Sequence, residues 1–195
     1  MFIFLNGSSS SGKTSIAKEL QEMFPQAFLR VGIDAFMGMM PEKFIGDTEV
    51  AREGFFFEAT KDEHGPITNV HGGVYAKRLF EARVPCIREI LKLENEVVID
   101  EILFDGRPEI DGYINGLKGF PGYFIAVNCS LEEVERREKL RENRSDNHAR
   151  GHYHIIHNHG VPYDFEVDTT STPSDVCAKA IFDFIATKPE PKVFR

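Results

Sequence analysis

The stretch "NGSSSSGKTS", Asn6 to Ser15, lies between the apolar run "MFIFL" and the helical pattern "IAKEL". Gly7, four serines, Gly12, Lys13 and Thr14 spell G-x-x-x-x-G-K-[ST], a loop whose glycines let the backbone curl until several N–H groups point inward. A helix opening directly behind such a loop adds the positive potential of its N-terminus. The motif carries meaning only between a strand and a helix, and both are in place. "FIFLN" (Phe2–Asn6) reads as a short buried strand, and Ile16, Leu20 and Met23 recur at helical spacing from about Lys13 to Phe24. Gly7, Ser8, Ser9, Ser10, Ser11, Gly12, Lys13, Thr14 and Ser15 are therefore expected to wrap the phosphates of a nucleotide. In that arrangement Lys13 reaches β- and γ-phosphate oxygens, and the Thr14 hydroxyl takes a place on Mg²⁺.

Outward from the loop, apolar β-type runs alternate with helical patterns, which predicts an α/β domain with a parallel sheet. "FLRVGID" (Phe28–Asp34), "EVVID" (Glu96–Asp100), "YFIAVNC" (Tyr123–Cys129) and "YDFEVDTT" (Tyr163–Thr170) supply the remaining strands. A long helix is expected from about Gly73 to Leu93, irregular near Pro85, and a charged one behind the cap-like Ser130. A final helix opens near Pro173. Ala35 to Val70, rich in glycine and proline, reads as an irregular excursion with short helices, and "KPEPKVFR" as a loose tail. No repeat or linker divides the chain, so positions 1–187 are expected to form one domain. It would carry a substrate-side insertion at about 35–72 and a lid at about 136–152, followed by the tail at 188–195.

Composition narrows the partners. The chain has 195 residues, 42% of them apolar, enough for one sizeable core. A formal charge of −8 argues against a nucleic-acid partner, which would want a basic face. The three cysteines, Cys86, Cys129 and Cys177, are scattered and fit neither a disulfide framework nor a zinc knuckle. The opening lacks the pattern of a signal peptide, and no apolar run approaches membrane-spanning length. The expectation is a soluble cytoplasmic protein that works on small molecules.

Among phosphate-loop proteins a GTPase would need N-K-x-D after a strand. "NRSD" (Asn143–Asp146) lacks the lysine and follows a charged helix, and "DEHG" (Asp62–Gly65) imitates D-x-x-G without a leading strand. A compact kinase remains. "GSSSSGKT", "VGIDAFMGMMP", "VVIDEILF", "RREKLRENR" and "HGVPYDFEVDTT", in that order along the chain, resemble the chloramphenicol phosphotransferase-like family of small P-loop kinases. The resemblance covers Phe2 to about Ile185 and is poorest from Pro41 to Val74, where the acceptor pocket should form. It implies a three-layer, adenylate-kinase-like P-loop fold with five parallel strands in the order 2-3-1-4-5. It further implies transfer of the ATP γ-phosphoryl group to an alcohol, with a nucleoside, nucleotide or sugar-nucleotide kinase of the same fold as the alternative.

Phosphoryl transfer asks for positioning and charge neutralisation more than covalent chemistry. Asp34 ends the second strand, where the carboxyl ends of parallel strands line a ligand crevice. By its match to the family motif it is expected to accept or orient the acceptor's proton; the competing reading is a helix N-cap. Asp100, rather than its neighbour Glu101, is expected to hold a Mg²⁺-bound water, or else to hydrogen-bond the phosphate loop. Arg136, Arg137, Lys139, Arg141, Arg144 and Arg150 crowd one stretch of an acidic protein. They form either a solvated face paired with Glu132, Glu133 and Glu135 or a lid. The family match singles out Arg137, Arg141 and Arg144 to close on the phosphates.

His148, His152, His154, His157 and His159 have spacings that permit metal binding, but no carboxylate or cysteine partner accompanies them. His157 takes a structural or acceptor-side role by resemblance. Asp168 and the threonines after it stand near the expected position of an adenine ring, and Thr172 reads as a cap for the last helix. Phe36, Met37, Met40, Phe44, Phe55, Phe56 and Phe57 are core material or, in part, walls of an acceptor pocket. A nucleotide-binding switch with slow hydrolysis would need the loop but not Asp34, which separates it from a kinase.

Overall fold

The computed structural model describes residues 1–63, 65–140 and 147–195. Along the chain, β1 (Phe2–Asn6) leads into α1 (Lys13–Met23), β2 (Phe28–Gly32) and α2 (Ile33–Met37). The insertion follows, with β3 (Ile45–Gly46), β4 (Phe55–Asp62) and β5 (Gly65–Gly72). Next come α3 (Val74–Lys92), β6 (Glu96–Glu101), α4 (Arg107–Gly116), β7 (Gly122–Asn128) and α5 (Leu131–Lys139). The chain finishes with α6 (His148–His152), β8 (Phe165–Asp168) and α7 (Ser174–Ala186).

The main sheet has the order β2-β6-β1-β7-β8, with every neighbouring pair parallel. β1 lies in the middle and its five residues are all buried. Its pleat sends successive side chains to opposite faces. Ile3 and Leu5 enter a core with Ile16 and Leu20 of α1 and Ile181 of α7. Phe2 and Phe4 enter a second core with Ile87 of α3 and Tyr113 of α4. The result is three layers, with helices on both faces of a parallel sheet. Because all strands run the same way, the loop after β1 opens at the edge where β2 and β6 also end.

Three expectations are corrected. The stretch 35–72 is not mainly irregular: β4 and β5 pair antiparallel from Phe55↔Gly72 to Asp62↔Gly65, and β3 joins β4 in a separate three-stranded sheet. "FFFEATKD" and "GPITNVHG" alternate poorly, and Gly, Pro and Asn are weak strand formers, so the cross-strand ladder outweighs local propensity. The second strand stops at Gly32, and Asp34 sits in the first turn of α2. A Cβ on Gly32 would come within 1.9 Å of the Asp100 carbonyl oxygen, a close approach that only glycine permits. The tail is not loose. Phe194 is 2% exposed, bridges to Gly122 and packs edge-on against Phe2 with ring centroids 5.0 Å apart.

Candidate active site

The loop between β1 and α1 is held from both sides. A Cβ on Gly7 would lie 2.4 Å from the Val127 carbonyl oxygen, so this glycine lets the loop lie against β7. Gly12 has φ 94°, the left-handed region that turns the loop into α1. Thr169 Oγ1, just past β8, donates to the Ser11 carbonyl at 2.7 Å. Ser8, Ser9, Ser10, Ser11 and Lys13 are all buried. Among the described residues the Ser10 and Ser11 hydroxyls, which have no water contact, also have no hydrogen-bond partner. Buried polar groups without partners are costly, and oxyanions entering the loop would relieve them. The Lys13 ammonium is folded onto the Ser8 carbonyl at 2.8 Å. The loop therefore fits a polyphosphate.

Asp100 and Glu101 part company. Thr14 Oγ1 donates to Asp100 Oδ2 at 2.6 Å, with Lys13 Nζ 4.0 Å from Oδ1 and Arg30 Nη1 3.7 Å from Oδ2. Glu101 points the other way: fully buried, it takes Arg83 Nη1 at 2.8 Å and the Tyr113 hydroxyl at 2.7 Å. Burial pushes the Glu101 carboxyl up to about 7 against the pull of Arg83 and Tyr113, while Arg83 stays a cation between Glu101 and Glu109. Glu101 thus braces α3 and α4 against the sheet, and Asp100 serves the loop. Thr14 and Asp100 are the pair that would hold a magnesium ion. Among the described residues no cluster of three or more histidine, cysteine or acidic side chains forms a metal cage, the histidine stretch included.

The basic run divides in two. Arg136 is exposed and forked onto Glu133 at 2.7 Å, which suits a solvated face. Together with Arg137 it holds the Glu133 carboxyl well down, at about 2. Ser130 caps α5 by accepting the Glu133 N–H. Arg137 turns inward, donating to the Thr169 carbonyl at 2.5 Å, and its Nη1 lies 3.6 Å from where a Gly12 Cβ would be. With Ser10, Gly12, Ser15, Thr169 and Ser174 it borders a cavity of about 220 Å³ beside the loop. Arg141 and Arg144 lie outside the described residues. Thr172 does not cap the last helix: Pro173 holds that position and no side chain bonds the helix end.

Asp34 is exposed, two residues past the point where Gly32 pairs with Asp100. It therefore stands at the same sheet edge as the loop.

Two histidines form a neutral hub beneath the loop. Val161 N–H donates to His159 Nδ1 at 3.1 Å, so the His159 proton sits on Nε2 and is given to the Tyr163 hydroxyl at 2.8 Å. Asn6 Nδ2 also donates to that oxygen, at 2.6 Å, which leaves the phenol proton for His157 Nδ1 at 2.6 Å. Burial holds both histidines below the usual range and pushes Tyr163 up. Asn6 also donates to the Ile156 carbonyl and accepts from Leu103 N–H. Sequence reasoning missed this hub and the Thr169 brace: His157, His159 and Tyr163 are local, but Asn6 lies 157 positions from Tyr163 and Ser11 lies 158 from Thr169, and no spacing announces either meeting.

A family model described as chloramphenicol phosphotransferase-like protein matches residues 1–186. A Mycobacterium tuberculosis protein called "Putative O-phosphotransferase" is 29% identical over 193 residues, which is 98% of this chain and 85% of that one. Solved structures share the fold at low identity. A sugar kinase from Janibacter sp. superposes with a TM-score of 0.64 at 13% identity, covering 95% of this chain and 94% of its own. The Deinococcus radiodurans tunicamycin resistance protein gives 0.60 at 12% identity, covering 100% and 98%. A gluconokinase from Sinorhizobium meliloti gives 0.60 at 15%, covering 95% and 91%. Matched over residues 1–186, with a fold that resembles those of P-loop kinases, the chain belongs to the chloramphenicol phosphotransferase-like family of small-molecule phosphotransferases.

Proposed function

We propose that the protein transfers the γ-phosphoryl group of ATP to a hydroxyl of a small organic molecule. The observation that carries this reading is the shared edge: Gly32 pairs with Asp100, Asp100 holds Thr14, and Asp34 follows two residues after Gly32. The loop amides, Lys13 and the N-terminus of α1 receive the phosphates, as in adenylate-kinase-like folds. Arg137, expected from the family match to close on the phosphates, instead borders with Ser15 and Ser174 a cavity that suits the base and sugar of the nucleotide. Thr14 and Asp100 would hold Mg²⁺, which when bound would neutralise charge on the phosphates. Asp34 accepts or orients the hydroxyl proton as the new O–P bond forms. Arg141 and Arg144 would add positive charge over the phosphates.

For the acceptor, a hydroxyl-rich molecule such as a sugar or nucleoside fits better than chloramphenicol. The hairpin of β4 and β5, which shapes the acceptor side, exposes Glu58, Thr60 and His71, with Glu58 and His71 paired at 2.9 Å. Such a surface offers hydrogen bonds to hydroxyls.

The test is acceptor-dependent ADP release from ATP across sugars, nucleosides and chloramphenicol, with Asp34→Asn beside the native chain. The expected result is release above the no-acceptor rate with one compound class, lost in Asp34→Asn while ATP binding stays within a few-fold. Unchanged turnover in that variant would remove Asp34 from the chemistry. ATP binding without acceptor-stimulated release from any compound would favour a slow nucleotide switch.

A further inference from the structure

Ser9 and Lys13, two groups that would meet phosphate, already rest on protein partners. Lys13 rests on the Ser8 carbonyl, and the Ser9 N–H donates to His152 Nε2 at 3.1 Å. His152 is 8% exposed, and its ring stands edge-on to Phe104, which follows β6, with centroids 5.0 Å apart. An Nε2 that accepts a hydrogen bond carries no proton, so the ring's proton is on Nδ1.

The loop has two ends. Ser10, Gly12 and Ser15 border the cavity with Arg137, assigned above to the nucleoside, and Ser8 and Ser9 do not. The Ser9 amide therefore marks the end of the loop away from the base, where the outermost phosphate belongs. That end also faces the acceptor side. α6, which carries His152, is tied to the hairpin by Thr68 N–H to the Asn147 carbonyl at 3.1 Å and by the Arg150–Asp62 ion pair at 3.2 Å. The His148 ring adds an edge contact with Phe57.

We propose that His152 is a ligand of the terminal phosphoryl group. Its Nε2 keeps the Ser9 amide satisfied while the loop is without nucleotide, then yields that amide to a γ-phosphate oxygen. In the nucleotide complex the ring proton moves to Nε2, which donates to the same phosphate. No covalent bond is made or broken at the imidazole; one hydrogen-bond acceptor replaces another. The inference rests on the ATP reading above and deepens it, since it gives the chain a means of telling ATP from ADP.

The test uses the intact protein and equilibrium binding of ADP and of a non-hydrolysable ATP analogue by calorimetry. His152→Phe keeps the ring packing on Phe104 but has no nitrogen. The expected result is a loss of about tenfold or more in analogue affinity, the size of a hydrogen bond to a charged group, with ADP affinity within about twofold. His152→Gln, which can both accept and donate, recovers part of the loss. In nitrogen NMR of the native protein, the His152 Nε2 signal moves from an unprotonated to a protonated position with the analogue and not with ADP. Equal losses for both nucleotides, or an unmoved Nε2 signal, overturn the inference and leave ATP binding intact. A native chain that binds neither nucleotide overturns the functional reading and this inference with it.

Discussion

Thr14 Oγ1 donates to Asp100 Oδ2 across 2.6 Å, joining the first turn of α1 to the end of β6. Asp100→Asn keeps an acceptor for that hydroxyl and removes the negative charge. Such a group acts by orienting a metal ligand, so phosphoryl transfer is expected to fall about 10–100-fold. The melting temperature should move little. Steady-state rates over a magnesium titration check this, and an unchanged rate would give Asp100 a purely structural role.

Lys13 is the buried cation of the loop, donating to the Ser8 carbonyl and standing 4.0 Å from Asp100 Oδ1. Lys13→Ala is expected to weaken ATP binding and turnover together, each at least tenfold, because one group serves ground state and transition state alike. Calorimetry beside steady-state kinetics reads both. If neither changes, the loop does not hold the phosphates.

Arg83 lies between Glu101 and Glu109 and is itself 5% exposed. Arg83→Met leaves Glu101 buried without its counter-charge and is expected to cost roughly 3–5 kcal/mol of folding stability. Replacing both partners, Arg83→Met with Glu101→Leu, should recover much of that loss. Urea unfolding of the single and double variants measures it, and a double variant no better than the single would show that shape rather than charge matters there.

The hub around Tyr163 makes stability depend on pH. Burial lowers the folded-state pKa of His157 and His159, so the folded chain prefers both neutral. Their contribution is complete above the unfolded value of about 6.5, and it is lost as pH falls from there through the folded values. The urea midpoint is therefore expected to drop between pH 7.5 and 5.5, and less in a variant with both histidines changed to glutamine. Tyr163→Phe, which strips the hub of its central hydroxyl, should cost about 1–3 kcal/mol at neutral pH.

The loop was legible because seven local residues and their flanking elements carry it: Gly7, Gly12, Lys13 and Thr14 within, Phe4, Leu5 and Ile16 around. The choice of Asp100 over Glu101 could be anticipated but not decided, since adjacent strand residues face opposite ways and only the register shows which meets Thr14. The hairpin escaped notice because Phe55, Phe56 and Phe57 break the alternation that marks a strand. Phe194 escaped because a lone phenylalanine among prolines and lysines gives no periodic signal, and its partners Phe2 and Phe4 lie at the other end of the chain. His152 was in view only as one of several histidines; its contact with Ser9 spans 143 positions.

That last aromatic contact bears on how the molecule is born. A ribosome that has delivered positions 1 to 187 has made every strand of the main sheet, yet the rings of Phe2 and Phe4 still lack one of their aromatic neighbours. Part of that apolar surface closes only once residue 194 is available to pack against it.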